Sequence, residues 1–156
     1  MDELDLDIIS LLQRNGRMAF TEIAKEVGVS EGTVRNRLSQ LLDDQTIQIV
    51  GMADPLKLGY DAPAVIAVSV QPQMLDEVAK KIADLPQVSY LIMVSGEYDL
   101  MVEVMCKDRD DLAALLNKQI RGLEGVTRTQ TFFILHTYKM AFGALPVIPD
   151  RNRDQD

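Results

Sequence analysis

Val27 to Leu38 reads VGVSEGTVRNRL, and this stretch decides the architecture of the first third of the chain. An apolar pattern at helical spacing runs up to Val27 and breaks at Gly28. A second pattern opens at Ser30, with Val34, Leu38, Leu41 and Leu42 on one face. Gly28 supplies the left-handed backbone conformation that so tight a turn requires, since it has no Cβ to clash. Val29 plugs the angle between the helices, and the Ser30 hydroxyl satisfies the exposed amides of the next one. Two helices joined by a turn of about three residues containing glycine form a helix-turn-helix unit.

Upstream, Leu4, Ile8, Leu11 and Leu12 predict a first helix, with Asp2 or Asp5 as its N-cap and Gly16 as its stop. Thr21 is expected to cap the second helix, in which Ile23, Ala24 and Val27 point inward. Downstream, Thr46 to Met52 reads as a short strand with Ile47, Ile49 and Val50 partly buried. Residues 1–52 are thus expected to be a helix-turn-helix domain of winged-helix-like form.

The composition changes at ADPLKLGYDAP, where Pro55, Gly59 and Pro63 mark a linker over residues 53–63. Beyond it, Ala64 to Val70 predicts a strand buried on both faces, and Pro72 opens a helix with Leu75, Val78, Ala79, Ile82 and Leu85 along one stripe. Val88 to Ser95 and Tyr98 to Cys106 read as two strands joined by a hairpin at Gly96 and Glu97. Asp108 caps a further helix with Leu112, Leu115, Leu116, Ile120 and Leu123 inward, ended by Gly122 or Gly125; Val126 to Lys139 is the last strand.

The order βαββαβ is the ferredoxin-like unit, which makes the chain α+β, with residues 64–139 as its second domain. Both helices would cover one face of a four-stranded antiparallel sheet. Phe132, Ile134, Ile66 and Val68 cannot all point at them, so self-association through the open face is expected. Residues 140–156 form a tail in which Leu145, Val147 and Ile148 could clip onto a neighbour.

On the helix after Gly28, Gly32, Thr33, Asn36 and Gln40 lie opposite the apolar stripe, with Arg35 and Arg37 flanking them. Amides and hydroxyls suit base edges in a major groove, and arginines suit guanine or phosphate. Gly32 lets the helix start approach a backbone closely, where its free amides favour phosphate. Ser30, Gly32, Thr33, Arg35, Asn36, Arg37 and Gln40 are therefore the candidate DNA contacts. Asp2, Glu3, Asp5 and Asp7 must face away from the phosphates, and with so few cations a dimer reading two half-sites is implied.

Composition narrows the alternatives. A net charge of −8 argues against a protein that coats nucleic acid, but a DNA reader needs only a local basic face. One cysteine and one histidine leave no set from which to build a Cys/His metal site, and no cofactor is expected. The lone Cys106 can form no internal disulfide, so a cytoplasmic setting is expected. No apolar run approaches the roughly 20 residues of a membrane span.

The chain resembles the Lrp/AsnC family, the feast/famine transcription regulators. The matching residues are LDLDIISLLQRNGRMAFTEIAKEVGVSEGTVRNRLSQL, the Lys57-Leu58-Gly59 element, VSGEYDLMVEV and GLEGVTRTQTFFILHTYK, so the resemblance spans about residues 2–139. It implies a DNA-binding domain joined to a domain that senses a small effector, typically an amino acid, in control of amino-acid metabolism or transport genes. It also implies dimers through the C-terminal sheets, commonly assembled into octamers, with effectors at the interface between dimers beside the hairpin. Carried over, that site is Met93, Gly96, Glu97, Tyr98, Asp99 and Leu100, with Thr129, Thr131 and Phe133 from the last strand. Asp99 could receive a ligand's ammonium group, or Gly96 and Asp99 could simply make a good turn. The family usually has a glycine where this chain has Gln45, which puts the turn geometry after the third helix in doubt.

Two other functions remain open on the sequence. The architecture is similar to that of sirohaem decarboxylases, but only His136 is available for such chemistry, and no nucleophilic or paired-carboxylate set presents itself. An amino-acid sensor without DNA binding would account for the acidic first domain.

Overall fold

The computed structural model describes residues 1–139, and the expected tail lies outside them. The chain divides between Met52 and Ala53 into two compact units.

In the first unit, helix α1 spans Glu3–Arg14, α2 Phe20–Val27 and α3 Glu31–Asp43. Asp2 is the N-cap of α1. Its carboxylate accepts from the Asp5 N–H at 3.0 Å, and the Asp5 carboxylate accepts in return from the Asp2 N–H at 2.8 Å. Two amides at the helix start are thus satisfied reciprocally. At the other end Asn15 is the C-cap and Gly16 lies just past it, as expected. Helix α2 begins two residues earlier than a Thr21 cap would require, with Ala19 as its N-cap, and its start is closed by Glu22, which accepts from the Ala19 N–H at 3.3 Å. Gly28 ends α2 with φ 72°, and Ser30 caps α3 by accepting from the Thr33 N–H at 3.1 Å. Ile8, Leu12, Ile23, Ala24, Val34 and Leu38 form the core of this unit, against which Val29 and Ile47 pack. Leu42 is exposed instead of sharing that face.

No strand forms over Thr46–Met52. Within the described residues this segment has no extended neighbour with which to build a ladder. The Ile47 N–H bonds back to the Leu41 carbonyl, while Ile49 and Val50 stay exposed. The unit is therefore three helices without a wing among the described residues. Gln45 adopts φ 58°, the left-handed conformation for which glycine is the low-cost residue.

In the second unit, strand β1 is Ala62–Val70, helix α4 Leu75–Ala83, β2 Val88–Met93, β3 Leu100–Cys106, α5 Arg109–Ala114 and β4 Val126–Phe133. The linker is shorter than expected, because a 3₁₀ turn occupies Leu56–Leu58 and β1 already begins at Ala62. The four strands pair antiparallel in the order β2-β3-β1-β4. Ala62, Ala64, Ile66, Val68 and Val70 alternate along β1 into a core shared with Val78 and Ile82 of α4 and with Leu112, Leu115 and Ile120. Ile66 and Val68 thus face the helices, and β1 is not equally buried on both sides. Cys106 lies in this core, and burial pushes its thiol up to about 11, as expected of a small apolar filler.

The opposite face carries Val65, Ala67, Tyr90, Ile92, Met101, Met105 and Phe132, as the pairings Val65 with Phe132 and Ile92 with Met101 fix. Tyr90, Ile92 and Phe132 remain exposed there. Strand β4 stops at Phe133, six residues short of the expected end, and Leu135, His136 and Tyr138 are exposed. The connection between β2 and β3 is also wider than a two-residue hairpin. The Val94 N–H bonds the Asp99 carbonyl at 2.9 Å, leaving residues 95–98 as the turn.

Candidate functional site

Helix α3 presents Gly32, Arg35, Asn36 and Gln40 on its exposed side, with Thr33 half-buried beside them. Ser30 is exposed as well, but its oxygen is occupied by the Thr33 N–H and hydroxyl, so its first role is to cap the helix. Among the described residues, Asn36 and Gln40 make no side-chain hydrogen bond. Arg35 lies over Glu31 of the preceding turn at 2.7 Å, and its guanidinium is 5.9 Å from the Phe20 ring centroid. That ion pair is solvent-exposed and of little energetic weight, so another anion can replace the carboxylate at small cost.

Arg37 departs from the expected arrangement. Its guanidinium turns back to the start of α1, with Nη1 2.7 Å from Asp2 Oδ2 and 3.3 Å from Asp5 Oδ1. Position 37 lies three residues after Val34 and four before Leu41, both buried, so its side chain leaves the helix close to the core side and reaches the neighbouring helix. Asp2 and Asp5 accordingly do more than face away from a ligand: they occupy one of the two arginines expected to flank the polar face. The Asp2 carboxyl is held below its ordinary value by the Asp5 backbone N–H and then by Arg37. Arg37 is raised in turn, mainly by its hydrogen bond to Asp2.

In the second unit the turn residues Glu97, Tyr98 and Asp99 are each engaged. The Asp99 N–H bonds the Val68 carbonyl at 3.0 Å, and the Asp99 carboxylate accepts from the Val70 N–H at 2.8 Å. That amide is freed by a register shift between Ser69 and Val70. Glu97 pairs with Arg128 at 2.7 Å, Arg128 lies 5.0 Å from the Tyr98 ring centroid, and the Tyr98 hydroxyl donates to Gln130 Oε1. Arg128 is raised, first by its hydrogen bond to Glu97. Gly96 has φ 145°, which a side chain would strain.

Strand alternation divides the expected effector set. Glu97 and Tyr98 meet Arg128 and Gln130 on one face of β4. Thr129, Thr131 and Phe133 pair with Val68, Ile66 and Ala64, which face the helices. Met93 and Leu100 are register partners, Met93 exposed and Leu100 fully buried. The structure thus brings Glu97, Tyr98 and Asp99 together with Arg128 and Gln130, and sets Thr129, Thr131 and Phe133 on the other face of β4. The pairings of Arg128, Gln130, Asp2 and Asp5 escape sequence reasoning because their partners lie 31 to 35 residues away with no periodic signal.

Two domain families match this chain: the AsnC-type helix-turn-helix domain over residues 1–42, and the Lrp/AsnC ligand binding domain over residues 63–143. The chain belongs to the Lrp/AsnC family. An HTH-type transcriptional regulator of Pyrococcus furiosus is 36% identical over 143 residues, covering 91% of this chain and 97% of that protein. The HTH-type transcriptional regulator LrpA of Pyrococcus horikoshii is 35% identical over 144 residues, covering 89% and 99%. Among solved structures, E. coli AsnC is 27% identical with a TM-score of 0.79, covering 90% of this chain and 95% of that one. A Neisseria meningitidis transcriptional regulator solved as an L-Met complex shares the fold, with a TM-score of 0.84 at 24% identity and coverage of 95% and 97%. This Lrp/AsnC member is therefore an AsnC-type DNA-binding transcriptional regulator with a ligand-binding domain. Among its described residues no helix is long and apolar enough to cross a membrane.

Proposed function

We propose that this regulator reads double-stranded DNA with the exposed side of α3, through Gly32, Thr33, Arg35, Asn36 and Gln40, while Arg37 holds α3 against α1. The observation that carries this reading is that, among the described residues, Asn36 and Gln40 make no side-chain hydrogen bond. Both amides sit on a helix whose start is already capped, so they can pair with base edges without breaking anything. Gly32 supports it too. A Cβ there would meet only Ser30 Oγ at 3.8 Å, so packing within the chain does not require glycine at that position. Five Lys and Arg against nine Asp and Glu in residues 1–52 make a single unit a weak binder. A homodimer, assembling further toward an octamer, is the form that would bind, with the apolar open face of the sheet as the dimer contact. The protein acts in the cytoplasm as a regulator of amino-acid metabolism or transport genes and catalyses no reaction.

The effector proposed is an amino acid held at residues 96–99, with Glu97 rather than Asp99 offering the carboxylate to its ammonium group. Asp99 is held by the part-buried Val70 N–H, whereas the Glu97 ion pair with Arg128 is exposed and can exchange its partner at small cost. The L-Met bound by the Neisseria protein supports the ligand class. Gel shifts on DNA selected from a random pool test the first part. Asn36→Ala and Gln40→Ala are each expected to weaken specific binding by about 1–3 kcal/mol, and unchanged binding in both would refute it. A thermal-shift screen of the twenty amino acids tests the second: at least one must raise Tm in the wild type and fail to do so in Glu97→Gln.

A further inference from the structure

Arg121 is a cation that neither α3 nor the hairpin uses, and the helix before it is built irregularly. The turns of α5 widen to π geometry over Leu115–Ile120, and the Arg121 N–H closes the last of them onto the Leu116 carbonyl at 2.9 Å. Such wide turns are rare and recur at functional positions. Here the widened end delivers a guanidinium to β4: Nε donates to Thr129 Oγ1 at 2.8 Å and Nη1 to Asn117 Oδ1 at 3.1 Å. Both partners are neutral, and among the described residues no carboxylate pairs with Arg121.

Arg121, Val126, Thr127, Arg128 and Thr129 line an open cleft of about 350 Å³ along β4, which is an edge strand of the sheet. Arg128 sends its guanidinium to Glu97 on the other face of β4, whereas Arg121, on the Thr129 side, keeps its positive charge without an acidic partner among the described residues. The Thr129 hydroxyl accepts from Arg121 and keeps its own proton to donate. A planar guanidinium held in place by two hydrogen bonds, with a hydroxyl donor beside it, matches a carboxylate.

We infer that this cleft is a binding site for a small organic carboxylate, with Arg121 as the residue that holds it. The site does not depend on the effector reading of the hairpin, because it needs no ammonium group. The probe is therefore sodium acetate, titrated into the full-length protein against sodium chloride at equal ionic strength. Arginine Nε–H and backbone amide signals are followed by ¹⁵N NMR. Acetate is expected to shift the signals of Arg121 and of Thr127 to Thr129 along a saturating curve that chloride does not reproduce. Arg121→Gln should weaken that binding about tenfold or more, with the remaining spectrum unchanged, and Arg121→Lys should recover part of it. Equal shifts with chloride, a linear response, or saturation that persists in Arg121→Gln would each overturn the assignment. So would a wild-type cleft that acetate cannot enter at any protein concentration, the outcome expected if an acidic side chain of a second copy fills it. Acetate binding in a protein that ignores all twenty amino acids would uphold this site and reject the hairpin effector.

Discussion

The exposed side of α3 and the turn between β2 and β3 are both polar and accessible, yet the chain treats them in opposite ways. On α3, Asn36 and Gln40 have no hydrogen-bond partner among the described residues, and the helix beneath is fixed by Ser30 at its start and by Val34, Leu38 and Leu41 at its base. In the turn, Glu97, Tyr98 and Asp99 are each bonded to β1 or β4. A partner of α3 adds bonds to an unbonded rigid surface. A ligand at the turn must exchange bonds already made, so each contact yields less net free energy. The difference teaches that one surface is prepared for docking and the other for a switch between partners.

The most forceful way to break this comparison is to remove the support under the turn. Ile66 is fully buried on the helix side of β1, the strand to which Asp99 is bonded, and Ile66→Ala is expected to cost about 2–5 kcal/mol of stability in urea unfolding. A loss well under that range would mean that the sheet core does not hold the turn. A smaller effect sharpens the other side. Gly28 and Gln45 flank α3, and both adopt left-handed backbone. Gly28→Ala should destabilise by about 1–2 kcal/mol, whereas Gln45→Gly should be neutral or stabilising by up to about 1 kcal/mol. Thermal unfolding of the pair checks the opposite signs.

Much of this was legible in the sequence because it follows from periodicity. The spacing of Ile8, Ile23, Val34 and Leu38 gave three helices, and the alternation in β1 and β3 with the stripes of α4 and α5 gave the split βαβ order. What was not legible depends on pairing between distant residues. Thr46–Met52 has strand composition, but no strand lies beside it within the described residues. The reach of Arg37 to Asp2 and Asp5 crosses 32 residues or more and leaves no mark in either local pattern. The face on which each β4 residue falls depends on its register with β1, which is why the separation of Thr129, Thr131 and Phe133 from Arg128 and Gln130 was not read from the sequence.

The smallest predicted effect concerns the ion pair behind α3. The Asp2 carboxyl is depressed by the Asp5 N–H and then by Arg37. A carboxyl depressed in the folded state contributes its stability fully above the unfolded value of about 3.9 and loses it as pH falls through the lower folded value. Asp2→Asn should therefore flatten the stability profile below about pH 4 and leave its shape unchanged between pH 7 and 9. A change in slope confined to neutral pH would disprove the pairing.

The most direct test is the salt dependence of DNA binding for the two arginines of α3. In a plot of log K against log salt for specific DNA, Arg35→Gln should reduce the slope by about 1 per bound unit. Arg37→Gln should leave the slope as in the wild type and show its loss in thermal stability instead. If Arg37→Gln lowers the slope and Arg35→Gln does not, Arg37 leaves its aspartates for the phosphates, and the division of labour drawn here is wrong.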